Sequence, residues 1–168
     1  MNDTNRLIHV EIDDAGQPAI TPEVEQERRV AVFDLLESNR FELVERPGVQ
    51  VRPGPYRLRL AQHSGRIAFD IADEGGTKVV EFQLLVSPFR QVIKNYLEIC
   101  ASYFNAVKSD PVSRIETIDM ARRGIHDEGA RILAERLDGK INVDDETSRR
   151  LFTLICALQP RRLGEPGG

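Results

Sequence analysis

The 168-residue chain reads as an α+β fold: a small antiparallel β-meander with a short N-terminal strand, covered by helices and followed by a helical C-terminal half. Three observations predict this. Apolar and polar residues alternate through residues 56–86, and two turn-forming clusters interrupt the alternation. The segment that begins at Ser87 switches to apolar steps of three and four. Beyond residue 110 the pattern stays helical. One strand, one helix, several strands and then a run of helices is the order of segregated α+β layers.

Leu7 to Ile12 alternates, with Ile8, Val10 and Ile12 on one face and His9 and Glu11 on the other, as in a short half-buried strand. Residues 13–18, Asp-Asp-Ala-Gly-Gln-Pro, are turn chemistry. Thr21-Pro22 supplies an N-cap and a proline at the first helical position. Glu23, Glu25 and Glu27 follow, where the helix dipole favours them. The apolar stripe is Val24, Ala31, Val32, Leu35 and Leu36, and the helix stops near Ser38-Asn39. Phe41 to Glu45 is a short strand, and residues 46–55, with three prolines and two glycines, are a loop.

In the meander, Tyr56, Leu58 and Leu60 alternate with Arg57 and Arg59, and Ile67, Phe69 and Ile71 alternate with Arg66, Ala68 and Asp70. Val80, Phe82, Leu84 and Val86 complete it. Symmetric turns at 62–65 and 73–76 set Leu60 opposite Ile67, Leu58 opposite Phe69 and Arg57 opposite Asp70. They also set Phe69 opposite Val80 and Ile67 opposite Phe82. All the large apolar side chains then share one face. The next helix opens at Ser87-Pro88 and carries Phe89, Val92, Ile93, Tyr96, Leu97, Cys100, Tyr103, Phe104 and Val107. It is expected to cover that face.

Asp110-Pro111 caps a helix carried by Ile115 and Ile118, which ends at Gly124. His126 or Asp127 starts another, with Ala130, Leu133, Ala134 and Leu137, ending at Gly139. An extended link at 141–143 leads to a last helix capped by Asp144 or Asp145, with Leu151, Phe152, Ile155 and Leu158 inward. Residues 1–159 form one domain, and 160–168, rich in proline and glycine, form a disordered tail.

Composition narrows the function classes. No apolar run approaches the ~18 residues of a membrane span, and the polar N-terminus lacks the pattern of a signal peptide. Cys100 and Cys156 fall among helical apolar residues, which suits reduced thiols in a cytoplasmic protein. The net charge is −4. Residues 1–110 carry 13 Lys/Arg against 17 Asp/Glu and the remainder carries 10 of each, so neither part has the basic excess of a nucleic-acid binder. Arginine supplies 19 of the 23 cations, a bias that suits bidentate carboxylate or phosphate contacts as well as plain genomic composition.

Motifs exclude more than they indicate. His9, His63 and His126 lie far apart without paired metal-ligand spacing. No nucleophile elbow, phosphate-binding loop or dinucleotide fingerprint is present, and no cofactor is implied. One run stands out: Asp119, Arg122, Arg123, His126, Asp127 and Glu128. If a helix ends at Gly124 and another starts about three residues later, free N–H groups, two guanidiniums and an imidazole can together hold an anion. His126 then serves as acid or base, oriented by Glu128 or Asp127. The same residues also fit a purely structural role. Gly124 is then a helix C′ residue, Arg122 and Arg123 complement the helix dipole, Asp119 pairs with Arg123 one turn on, and Asp127 is an N-cap.

The run Arg-Ile-Glu-Thr-Ile-Asp-Met-Ala-Arg-Arg-Gly-Ile-His-Asp-Glu-Gly at 114–129 resembles the signature of a small alphaproteobacterial family, an uncharacterised protein family. Ser-Pro-Phe-Arg at 87–90 and Arg-Arg-Leu-Phe-Thr-Leu at 149–154 are similar to other stretches of it. The resemblance covers most of the chain, with the loop at 46–55 and the tail as variable extras. It implies a bacterial, cytoplasmic setting and genes near histidinol dehydrogenase and a low-molecular-weight phosphatase, but no activity.

Two readings follow. The first is an interaction or regulatory protein without catalytic activity, whose partner is an unknown protein contacted through surface residues such as Arg149 and Arg150. The second is an anion- or phosphometabolite-binding protein or enzyme that uses Arg122, Arg123, His126 and Glu128. It requires those side chains to converge in a concave pocket.

Overall fold

The computed structural model describes residues 4–14 and 21–159. The expected tail at 160–168 and most of the expected turn at 13–18 lie outside them. Among these residues six strands and four helices follow in the order β1 (Leu7–Asp13), α1 (Pro22–Glu37), β2 (Phe41–Leu43), β3 (Tyr56–His63), β4 (Arg66–Asp73), β5 (Lys78–Leu85), α2 (Arg90–Ser109), α3 (Val112–Leu137), β6 (Ile141–Val143) and α4 (Asp145–Ala157). This is the expected α+β layering with a helical C-terminal half.

The main sheet has the strand order β1-β3-β4-β5. The meander β3-β4-β5 is antiparallel as predicted, but β1 joins its edge in parallel with β3. That pairing needs a crossover, here through α1, and so is invisible to any local turn signal. An irregularity in the pairing between Leu7 and His9 puts Leu7 inward in place of Ile8, so that Leu7 and Val10 are the buried residues of the strand. Phe41–Leu43 pairs with Ile141–Val143 in a separate two-stranded ribbon. The extended link at 141–143 is therefore a strand.

Both hairpin registers differ from the symmetric-turn expectation by two residues. Leu60 faces Phe69, Leu58 faces Ile71, Arg59 faces Asp70, and Phe69 faces Phe82. The first loop is only Ser64-Gly65, with φ of 51° and 74°, the two-residue turn that matches strand twist. A shift of two keeps every side chain on its face, so the predicted buried face survives in β3 and β4, while in β5 Leu84 is buried and Val80 and Phe82 are half-buried. Leu58, Leu60, Ile67, Phe69 and Ile71 are all at most 1% exposed.

Thr21 caps α1 by accepting from the Val24 N–H, and Asp144 caps α4 by accepting from the Thr147 N–H. Ser87–Phe89 is a single 3₁₀ turn that leads into α2. Pro111, not Asp110, precedes α3, and Asp110 instead pairs with Arg114. The most buried element is α4, which packs against both α1 and α3, and every residue from 151 to 159 is buried. Val92, Ile93, Tyr96 and Cys100 of α2 enter the same hydrophobic cluster as the sheet. Gln159, just past α4, exchanges amide hydrogen bonds with Gln62 of β3 at 2.6 and 3.2 Å, tying the helical layer to the sheet.

The main correction concerns Gly124. No helix ends there: α3 runs unbroken from Val112 to Leu137. Gly124 does not have positive φ, whereas Gly139, past the true end, has φ of 83°. The helix N-terminus expected at His126 or Asp127, with its free N–H groups, does not exist, and Asp127 caps nothing.

Candidate functional site

The continuous helix places its side chains differently from a broken one. His126, Gly129, Ala130, Leu133 and Leu137 recur at steps of three and four. The last four are buried, and His126 lies on the same stripe. Gly129 is the contact point. A β-carbon there would clash with three ring carbons of Phe152 from α4, so only glycine lets the helices approach this closely. Ser148 Oγ donates to the Ala130 carbonyl at 2.7 Å within the same crossing.

One turn earlier, the close approach brings His126 against α4. Its Nε2 lies 3.0 Å from the Arg149 carbonyl and 2.9 Å from Thr153 Oγ1. A carbonyl only accepts, so Nε2 carries the proton and the neutral ring keeps its lone pair on Nδ1. The ring stacks on Tyr96, with centroids 5.2 Å apart. Burial holds the imidazole pKa below its ordinary value. The Arg149 charge adds to this, and the hydrogen bond to the Arg149 carbonyl opposes it. His126 is thus a neutral, fixed group near pH 7.

Arg122 sits one turn before His126. It forks onto Asp119, reaches Glu27 of α1 at 3.3 Å, and lies over the Tyr103 ring at 4.4 Å. Arg123 donates through Nε to the other Asp119 oxygen at 3.1 Å, and its side chain is 71% exposed. The Arg122 hydrogen bond holds the Asp119 carboxyl below the usual range; burial opposes the shift, and the Arg122 and Arg123 charges reinforce it.

These side chains border a cleft of about 330 Å³ between α1, α2, α3 and α4, within the size range of small-ligand sites. Arg122, Arg123 and His126 line it, as do Glu27, Val30, Ala31 and Asp34 of α1, Tyr96 of α2, and Glu146, Arg149, Arg150 and Thr153 of α4. Arg149 reaches Asp127 at 2.6 Å, and Arg150 reaches Glu146 at 3.1 Å. Four arginines from two helices therefore line one opening, beside the acidic residues Glu27, Asp34 and Glu146.

Three of the four residues picked out in the sequence, Arg122, Arg123 and His126, meet at this cleft. Glu128 does not. It points along the exposed side of α3 and pairs with Arg131 at 2.7 Å. Arg149 and Arg150, which the sequence offers as part of a partner-contacting surface, also line this cleft. Glu27, Asp34, Tyr96, Glu146 and Thr153 carried no local signal. The spacing of Arg149, Arg150 and Thr153 puts them on one face of α4, but it does not tie that face to the cluster on α3. Among the described residues no group of three or more His, Cys, Asp or Glu side chains could hold a metal ion, and no helix is long and apolar enough to cross a membrane.

A family model described as "Uncharacterised protein family (UPF0262)" matches residues 4–161. The chain is 62% identical over 156 residues to a UPF0262 protein of Paracoccus denitrificans, covering 93% of this chain and 96% of that relative. It is 60% identical over 154 residues to one of Dinoroseobacter shibae, with 92% and 97% covered. A UPF0262 protein of Ruegeria pomeroyi is 58% identical over 154 residues, with 92% and 96% covered. No solved structure matches the chain significantly.

Proposed function

The chain belongs to the UPF0262 family, an uncharacterised protein family found among alphaproteobacteria, and we propose that it is a non-catalytic binding protein that holds a phosphate or carboxylate group in its arginine-ringed cleft. The observation that carries this reading is the convergence of Arg122, Arg123, Arg149 and Arg150 on one opening. Arg122 spends its donors on Asp119 and Glu27. Arg123 makes a single close contact through Nε, which leaves both terminal nitrogens to meet an anion. Arg149 pairs with Asp127 through Nη1 and has Glu146 3.9 Å from Nε. Arg150 gives Nη1 to both the carbonyl and the carboxylate of Glu146 and has Asp34 3.9 Å from Nε, so in each the second terminal nitrogen is left to meet an anion.

Binding without chemistry is favoured by His126. Its Nε2 is committed to Arg149 and Thr153, its ring is clamped on Tyr96, and burial keeps it neutral. A cytoplasmic setting is part of the proposal. It is supported by two free, buried cysteines, Cys100 and Cys156, whose thiol pKa values burial raises, to about 11 for Cys100.

The test is thermal unfolding with inorganic pyrophosphate and with citrate, on the wild-type protein and on Arg123→Ala/Arg150→Ala. A ligand at a hundred times its dissociation constant adds about 2.7 kcal/mol, or roughly 5 to 10 °C for a chain of this size. The wild type is expected to shift and the double variant is not. Micromolar affinity points to a free metabolite. Millimolar affinity points to an anionic group on a larger partner that supplies further contacts. No shift with either anion, or an equal shift in the double variant, overturns the reading.

A further inference from the structure

Helix α1 has two apolar faces. Ala31 and Leu35 turn inward and are buried, while Val30, Phe33 and Leu36 are 47%, 64% and 38% exposed. On a helical wheel Val30 and Leu36 lie within about 60° of Phe33, on opposite sides of it. The exposed residues Arg29 and Glu37 fall inside the same arc, one turn before and one turn after Phe33.

The stripe is self-complementary about its centre. If α1 packs antiparallel on α1 of a second copy with Phe33 at the two-fold axis, position 29 meets position 37 and position 30 meets position 36. Val30 then meets Leu36, Arg29 meets Glu37, and each pairing occurs twice, as an isologous interface requires. Within the chain Arg29 has Glu25 at 3.3 Å, whereas Glu37 has no ion pair with a described residue and is free to take the Arg29 guanidinium of the other copy. We infer that α1 is a homodimerisation helix, with a second copy of this chain covering Val30, Phe33 and Leu36 and with reciprocal Arg29–Glu37 pairs fixing the antiparallel register. Val30 also lines the arginine-ringed cleft, so the interface runs along the cleft's edge. The inference does not depend on what the cleft binds.

Sedimentation velocity over a concentration series tests it. The wild type is expected to show a concentration-dependent dimer and Phe33→Glu a monomer throughout. Arg29→Glu presents two carboxylates to its own copy, and Glu37→Arg presents two guanidiniums. Each alone is expected to weaken the dimer by on the order of tenfold or more. Mixed one to one, these two variants restore complementary pairs and should form a heterodimer. All three positions are exposed, and circular dichroism checks that the helices persist. A wild type that stays monomeric, a Phe33→Glu variant that still dimerises, or a mixture no more associated than its components overturns the inference.

Discussion

Nε2 of His126 donates to the backbone carbonyl of Arg149 across 3.0 Å, joining the middle of α3 to the first turns of α4. The imidazole is therefore a clamp between two helices. His126→Ala loses that bond, the Thr153 contact and the stack on Tyr96. Hydrogen bonds of this kind are worth ~1 kcal/mol each and the ring pair about as much. The variant should be destabilised by roughly 2–3 kcal/mol, seen as a lower Tm, while its pyrophosphate response persists. A stable variant that no longer responds to the anion would make His126 a ligand-contacting group instead.

The same burial makes stability depend on pH. The folded-state pKa of His126 lies below its ordinary value, so the unfolded chain binds more protons as pH falls through the unfolded value of about 6.5. The stability due to neutral His126 is complete above that pH and is lost as pH falls through the folded pKa. The depressed Asp119 and Glu25 carboxyls act only at lower pH, below the ordinary carboxylate values. Tm is expected to fall between pH 6.5 and 5 in the wild type, and more gently in His126→Gln.

Two glycines of one helix should respond in opposite ways. A β-carbon at Gly129 would clash with the Phe152 ring, whereas one at Gly124 meets nothing within 4 Å. Gly129→Ala should cost about 1–3 kcal/mol through overpacking. Gly124→Ala should add ~0.5–1 kcal/mol, because glycine inside a helix is costly relative to alanine. Chemical denaturation of both variants measures the pair. A loss at Gly124→Ala would mean that the helix does break there.

Asp119 competes with any anion for Arg122 and Arg123. Asp119→Asn removes the charge and keeps the size. Titration calorimetry should show tighter pyrophosphate binding, by about 1 kcal/mol or roughly fivefold, in a somewhat less stable protein. Weaker binding would show that Asp119 serves the site by positioning the two guanidiniums.

The sequence made the α+β class legible because period-two and period-three-to-four patterns are local. The buried sheet face was legible for the same reason, and an error of two residues in register left it intact. What stayed hidden was non-local. The parallel partner of Leu7–Asp13 lies past α1, and the strand that meets Phe41–Leu43 lies at 141–143. Arg122-Arg123-Gly124 has the composition of a helix end, yet the inward stripe resumes with His126, Gly129, Ala130 and Leu133 in phase. Packing against Phe152 outweighs the ~1 kcal/mol that an interior glycine costs. The arginines of α3 were legible as a cluster. Their union with Arg149 and Arg150 depends on a helix crossing that Gly129 permits, and no local spacing encodes it.

The most direct measurement of the central claim follows the arginine Nε–Hε resonances of ¹⁵N-labelled protein as inorganic pyrophosphate is added. The account predicts saturable shifts confined to Arg122, Arg123, Arg149 and Arg150, with Arg57 of the sheet and Arg131 of the outer face of α3 unmoved. Shifts spread evenly over the exposed arginines, or absent from the cleft, would contradict it.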